Sequence, residues 1–217
     1  MNAYKHRIDL MRAAFVAPPG SDYQHCFFFF DICFPVNYPN VPPKLWDRSY
    51  GIHLNPNLGT NGRVHLDILE TWYDRLKQNW FRSHNKEKWN PKESNVLHVI
   101  HAIQNLISHR SPEPLEEHNT KAFTSACGMT FRVLRKPPIG FEYLVKGHFR
   151  RRAHPVLFKF KENKYDEKSM IELFERMFLV FELDGAYCKH HLDFLKPRKQ
   201  QITTGEVANQ EHANDDQ

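Results

Sequence analysis

The sequence lacks any apolar run long enough to cross a bilayer. Its most hydrophobic stretch, FFFFDICF (27–34), has the length of a strand and contains Asp31. The residues that follow Met1 are polar and basic, where a secretory signal would have an apolar segment. We therefore expect a protein without a membrane span that acts in the cytoplasm, the nucleus or both.

Cysteine is scarce and widely spaced. The four cysteines form no CxxC pair, and they stand at Cys26, Cys33, Cys127 and Cys188. A protein of a reducing compartment with this spacing is expected to keep free thiols. Neither a disulfide framework nor a cysteine-rich metal site is predicted.

Histidine is abundant, with 14 residues, but its clusters do not match a known metal-binding spacing. His98 and His101 are three residues apart on a predicted helix, without the intervening glutamate and the third ligand of a zinc protease. His190 and His191 follow Cys188 closely, and this group is no better as a metal motif. The sequence therefore predicts no metal and no cofactor.

The net charge of +5 is modest, and acidic and basic residues are mixed along most of the chain. The only dense basic run, Arg150-Arg151-Arg152, follows a helical segment. There it can form a solvated face or neutralise the negative end of the helix dipole. No zinc finger or other nucleic-acid reader motif is present. We expect no nucleic-acid partner.

The first half of the sequence is typical of strands and turns. Residues 8–16 show the two-residue alternation of a strand. Residues 26–34 are apolar on both faces, which predicts a central strand covered on one side by helices. The segment 35–43 has four prolines in nine positions and predicts an extended loop. Residues 44–50 predict a third strand.

The second half is helical by its periodicity. Helices are predicted at 96–107 with Ser94 or Asn95 as the cap, and then at 115–134, 141–150 and around 170–181. The pattern indicates an α+β fold in which an antiparallel β-meander is followed by packed helices. We predict a core domain at 1–152, a helical extension at 153–200 and a disordered tail at 201–217.

One loop is unusually constrained. In NPNLGTNGRVHLDIL (55–69), two asparagine-containing turns, Asn55-Pro56-Asn57 and Asn61-Gly62, precede a hydrophobic run. Such a loop holds a residue at a fixed place, and His65 is the candidate. An imidazole there could act as a base near neutral pH, but no nucleophile stands beside it in the motif.

The order of these features resembles the ubiquitin-conjugating enzymes. The family's hallmarks stand here as FFFFDICFPVNYPNVPP, NPN, NGRVHLDIL, Trp72, WNPKES and VLHVIHAIQNLI. The motifs cover residues 4–152. RIDLMRAAFV, LNPNL and VLRKPPIGFEYLVKGHFRRR resemble the plant branch that contains the phosphate-homeostasis conjugating enzyme.

The resemblance implies the family's fold without its N-terminal helix, and it implies a changed site. The family's catalytic cysteine falls eight positions after the asparagine of the NPN turn, at His65. The family asparagine that holds the loop and stabilises an oxyanion falls at Asn57. An acyl-imidazole is more reactive than the thioester it would replace, so His65 is predicted to be inert as a ubiquitin carrier.

The resemblance also implies two ligase-binding loops. Their candidate contact residues are Tyr38, Pro42 and Pro43 in one loop and Trp89 and Pro91 in the other. A purely structural role is equally open for these residues, because prolines and a tryptophan can also shape and close the fold without contacting a partner.

We expect a non-catalytic protein of the ubiquitin pathway that binds a ubiquitin ligase, an active conjugating enzyme or ubiquitin itself. Two further hypotheses stay open. One is an active ubiquitin-conjugating transferase, and the other is a decayed or truncated duplicate of marginal stability.

Overall fold

The computed structural model describes residues 1–4, 6–48, 50–69, 88–108, 116–162 and 167–194. The chain divides into two compact units, Met1–Arg132 and Val133–Gln217, and each is described by itself. Within the described residues, no helix has the combination of length and hydrophobicity that crossing a membrane requires.

The first unit contains a four-stranded antiparallel sheet in which each strand pairs with the next one along the chain. The strands are β1 (Asn2–Tyr4), β2 (Arg7–Val16), β3 (Phe27–Cys33) and β4 (Lys44–Asp47). This confirms the predicted meander and adds the short strand β1. Strand β4 ends earlier than predicted, because the chain turns at Tyr50 and Gly51, which have φ values of 55° and 76°.

Strand β3 is the centre of the sheet and of the core. Phe27, Phe28, Phe29 and Phe30 are each at most 1% exposed, so both faces of the strand are buried. Phe27 and Phe29 stack on one face with ring centroids 5.4 Å apart. Each such burial stabilises the fold by roughly 1.5–3 kcal/mol, which makes this strand a major contribution to the core.

The helices of the first unit are α1 (Val96–Ile107) and α2 (Glu116–Arg135), whose last turn runs past the end of that unit. Of the two predicted caps, Ser94 and Asn95, Asn95 caps α1 in the structure. Its side chain accepts the N–H of Leu97, while the Nδ1 of His98 accepts the N–H of Asn95 at 3.1 Å. This cap gives His98 a structural role. Helix α1 packs against a 3-10 turn at Asp67–Leu69.

The second unit contains α3 (Glu142–Glu162), α4 (Glu167–Leu183) and a 3-10 segment at Lys189–Phe194. Helix α3 packs against α4 and against the 3-10 segment. The predicted apolar face of α4 is confirmed, and its buried members include Met170, Phe174, Met177 and Phe181.

Helix α3 is longer than the predicted 141–150, and it continues through Pro155. A proline inside a helix costs about 3 kcal/mol, but Leu157 and Phe160, at most 1% exposed, lie beyond it. The burial of these two side chains offsets the energetic cost of the proline. The division predicted at residue 152 lies inside this helix and stays a prediction, and the predicted tail at 201–217 lies outside the described residues.

One carboxylate joins three segments of the sheet. Asp31 on β3 accepts hydrogen bonds from Arg12 on β2 at 2.5 and 2.9 Å, and from Arg48 after β4 at 2.6 Å. Burial alone would raise the pKa of Asp31, but the bonds from Arg12 and then Arg48 outweigh it and hold the pKa below its usual value. The charged form is therefore the one that stabilises the sheet.

The substitution Asp31→Asn should lower the free energy of unfolding by roughly 1–3 kcal/mol at neutral pH, because two arginines lose a charged acceptor. Since the pKa is lowered on folding, this stabilisation is present above the ordinary pKa and is lost as the pH falls below about 4. Urea denaturation across that pH range measures it. Asp9→Asn, in an exposed pair with Arg7, is the control and should leave stability unchanged. Equal pH dependence in wild type and Asp31→Asn would contradict the assignment.

Candidate active-site cleft

The loop between β4 and α1 forms a cleft of about 450 Å³ in the first unit. The cleft is lined by His53, Pro56, Leu58, Gly59, Thr60, Asn61, Arg63 and His65. All of these residues belong to the segment 53–65, so its shape depends on how this one loop folds on itself.

Asparagine side chains build the turns of the loop, as the sequence predicts. The Oδ1 of Asn55 accepts the N–H of Asn57 at 2.9 Å, and the Oδ1 of Asn61 accepts the N–H of Arg63 at 3.1 Å. Between the second pair, Gly62 has a φ of 84°, a conformation that favours glycine. The two turns bring the arms of the loop back towards each other.

Main-chain hydrogen bonds then hold the two arms together. The N–H of His65 donates to the carbonyl of Asn57 at 2.9 Å, and the N–H of Gly59 donates to the carbonyl of Arg63 at 2.8 Å. Leu58 and Val64 form an antiparallel bridge between these bonds. We call this set the loop clamp. It places Asn57 and His65, the pair predicted from motif spacing, next to each other.

The clamp is anchored to the rest of the unit. The N–H of Asp47 in β4 donates to the carbonyl of Gly62 at 2.8 Å, and Leu58 and Val64 are at most 2% exposed. Asn55 is also buried and hydrogen bonds with Tyr23. Burial raises the pKa of Tyr23 to about 12, and the bond with Asn55 opposes that rise, so Tyr23 is a neutral phenol at physiological pH.

His65 is only 7% exposed, although it lines the cleft. Arg63 lies two residues earlier in the same extended segment and lines the cleft too, since alternate residues of a strand face the same side. His53 enters from the other end of the loop. Neither Arg63 nor His53 is among the residues predicted from the sequence. The two-residue alternation of side chains along a strand could have indicated Arg63 from His65, whereas nothing in the local sequence indicated His53.

The two proline-containing loops are joined to each other. The indole Nε1 of Trp89 donates to the carbonyl of Pro39 at 2.7 Å, and its ring lies 5.8 Å from that of Tyr38. Trp89 and Pro43 are buried, Tyr38 and Pro42 are half-buried, and Pro91 is exposed. Trp89 thus has the structural role of closing the fold between the loops. The predicted ligase contacts at these residues stay predictions, and of the five Pro91 is the exposed one.

Comparison with known proteins decides the family. Residues 2–129 match the profile of the family described as ubiquitin-conjugating enzyme. This chain belongs to that family. It is 36% identical over 174 residues to the protein named probable ubiquitin-conjugating enzyme E2 23 of Arabidopsis thaliana, with 72% of this chain and 15% of that protein covered.

A second Arabidopsis thaliana protein, named probable ubiquitin-conjugating enzyme E2 24, is 37% identical over 170 residues, with 70% of this chain and 18% of that protein covered. This chain therefore spans less than a fifth of the length of either relative. Among solved structures, a Toxoplasma gondii ubiquitin conjugating enzyme E2 domain aligns with a TM-score of 0.38 at 22% identity, with 55% of this chain and 71% of that chain covered.

In this ubiquitin-conjugating enzyme family member, no cysteine is among the residues that line the cleft. All four cysteines are thiols and not disulfides, as predicted, and Cys26, Cys127 and Cys188 are buried. Burial raises the pKa of the Cys26 thiol, and it raises that of Cys188 to about 11. A thiol with a raised pKa is a poor nucleophile because the thiolate is the reactive form.

The catalytic roles predicted for His65 and Asn57 stay predictions. The main-chain carbonyl of Asn57 is engaged by the loop clamp, and Asn57 is not among the residues lining the cleft. Trp72 lies outside the described residues. Within the described part of the chain, one cluster could hold a metal ion, and it lies in the second unit, away from this loop's residues in sequence.

The substitution Trp89→Ala should lower the free energy of unfolding by about 3–5 kcal/mol, because it removes a buried ring and its hydrogen bond to Pro39. Pro91→Ala, at an exposed position, should change it by no more than about 0.5 kcal/mol. Thermal and urea denaturation of the two variants measures the difference. Similar stabilities would show that Trp89 does not close the fold.

Proposed function

We propose that this chain is a non-catalytic protein of the ubiquitin pathway, in which His65 occupies the position of the family's thioester-forming cysteine. It acts by binding a ubiquitin ligase or an active conjugating enzyme. The plant branch containing the phosphate-homeostasis enzyme is its proposed place in the family. The observation that carries the proposal is the imidazole of His65 in the cleft, with its main chain fixed by the loop clamp.

The chemistry of acyl transfer explains why this side chain matters. Ubiquitin passes between thiols by thioester exchange, which is nearly balanced because one thiolate leaves as another attacks. An imidazole can attack the same thioester, but the acyl-imidazole formed is the more reactive compound. Transfer to His65 is therefore unfavourable, and water would hydrolyse the product.

Among the described residues, those that line the cleft supply no thiol that could replace the family's cysteine. Besides His65, the charged and imidazole groups that line the cleft are His53 and Arg63, and neither group carries a thiol or hydroxyl. Thr60 offers a hydroxyl, but an ester formed on it would be too stable to pass ubiquitin on. A site with this composition can hold a main chain or a carboxylate, and it cannot store an activated acyl group.

The second candidate function is an active transferase, and the composition of the cleft supports it. Two imidazoles and a guanidinium line one cleft, at His53, His65 and Arg63. At a pH near 7, an imidazole can accept a proton from an attacking amine. In this role the chain would assist the thioester of a partner. A decayed duplicate is the third hypothesis and predicts a marginally stable protein.

The substitution His65→Cys tests the assignment of this position. Purified variants are incubated with ubiquitin-activating enzyme, ATP and ubiquitin, and then separated with and without reductant. We expect His65→Cys to form a reductant-sensitive ubiquitin adduct, because the loop clamp holds position 65 whatever its side chain.

His53→Cys is the matched control, since it places a thiol in the same cleft at an exposed position. It should form no adduct. If both variants form the ubiquitin adduct equally, accessibility of the thiol alone determines whether an adduct forms. If neither variant forms it, the assignment of position 65 is contradicted. An adduct on the wild-type chain would overturn the non-catalytic function.

The exposed Pro91 tests the binding function. Ligase affinity, measured by biolayer interferometry against a panel of purified ubiquitin ligases, should fall at least about tenfold in Pro91→Ala for any ligase that binds wild type. Ile8→Ala is the control, because Ile8 is exposed on β2 in another part of the unit. An equal loss in both variants, or in neither, would contradict a contact at Pro91.

A further inference from the structure

Three histidines from distant parts of the sequence meet in the second unit. His154 lies on α3, and His190 and His191 lie on the 3-10 segment at Lys189–Phe194. One ring nitrogen from each lies within 4.8 Å of the others. Their rings are close as well, with centroids 4.3–5.4 Å apart. We call this group the histidine cluster.

The closest pair in the cluster already has the spacing of two metal ligands. The Nδ1 of His154 and the Nε2 of His191 are 3.1 Å apart. Two nitrogens bound to one tetrahedral zinc ion at their usual bond lengths lie about 3.3 Å apart. Without an ion, one of these nitrogens must carry a proton, because two lone pairs repel each other at this distance. A cation can take the place of that proton.

The third ligand is the most adjustable. His190 is exposed, whereas His154 is half-buried and His191 is only 4% exposed. The ring nitrogen of His190 needs to approach by no more than about 1.5 Å to reach the spacing of a zinc ligand. Rotation of an exposed side chain supplies such a movement at little energetic cost.

A short series of hydrogen bonds orders the segment that carries His191. The N–H of Ala186 donates to the carbonyl of Phe181 at 2.9 Å at the end of α4, and the N–H of His191 donates to the carbonyl of Cys188 at 2.8 Å. Between them, the side chain of Glu182 accepts the N–H of Cys188. Two of the three ligands thus lie on ordered and partly buried structure before any ion binds.

We propose that the histidine cluster binds one divalent transition-metal ion, such as zinc. Three neutral imidazoles are ligands that zinc favours, and they leave a fourth position for water or another donor. The ion would join the 3-10 segment to α3. This site shares no residue with the cleft at His65, so the inference stands apart from the proposed function.

Cobalt(II) is the probe, because its visible absorption reports tetrahedral coordination. The 217-residue chain is stripped of metal with a chelator and titrated with cobalt(II), and zinc is then added as a competitor. We expect one equivalent of cobalt(II) to bind tightly and to give a visible d–d band. The near-ultraviolet thiolate charge-transfer band that a cysteine ligand would give should be absent. Zinc should displace the cobalt and raise the melting temperature of the protein.

His190→Ala and His154→Ala should each weaken cobalt binding at least about tenfold, because each removes one of three ligands. His101→Ala is the matched control, as His101 is an exposed histidine on α1, and it should bind like wild type. Circular dichroism confirms that each variant is folded. Equal affinity in wild type and His190→Ala, or a thiolate band, would overturn the proposal and leave the histidine cluster as a hydrogen-bonded packing feature.

Discussion

The hydrogen bond from the N–H of His65 to the carbonyl of Asn57 is the constraint on which the rest of the site depends. It closes the loop clamp, and the clamp is tied to β4 through Gly62 and to the core through Leu58 and Val64. Because these bonds involve the main chain, they fix where the side chain of residue 65 lies without specifying what it is. A loop of this kind can keep its geometry when its chemistry changes.

In the function we propose, the side chain at that position decides whether the chain can carry ubiquitin. Sulfur serves as an acyl carrier because it attacks readily and leaves readily, and imidazole nitrogen forms an acyl product that does not persist. The fold of a ubiquitin-conjugating enzyme family member is present, with a packed phenylalanine strand at its centre. In the function we propose, the scaffold is retained and the nucleophile is replaced, which suits the chain to binding. The exposed Pro91 beside the structural Trp89 is the surface proposed for it. The second unit has its own core and its own histidine cluster.

The local sequence pattern predicts the structure well where it agrees with the tertiary packing. Strand β3 is apolar on both faces and is buried, and Asn95 and the apolar face of α4 lie where their motifs indicate. It fails where tertiary packing overrides local preference. Helix α3 continues through Pro155, because Leu157 and Phe160 are buried beyond it, and β4 ends early at the turn that contains Tyr50. In the site, motif spacing was enough to predict the asparagine turns and His65. His53 in the cleft and His154 in the histidine cluster were not, because each meets its neighbours only through the fold.

The central claim is that the wild-type chain does not carry ubiquitin. Intact-mass spectrometry of the wild-type protein, after incubation with ubiquitin-activating enzyme, ATP and ubiquitin, tests it most directly, because an acyl adduct on any residue adds the mass of one ubiquitin less one water. We expect the unmodified mass in every sample. A species heavier by one ubiquitin, lost on treatment with a thiol reductant, would contradict the claim.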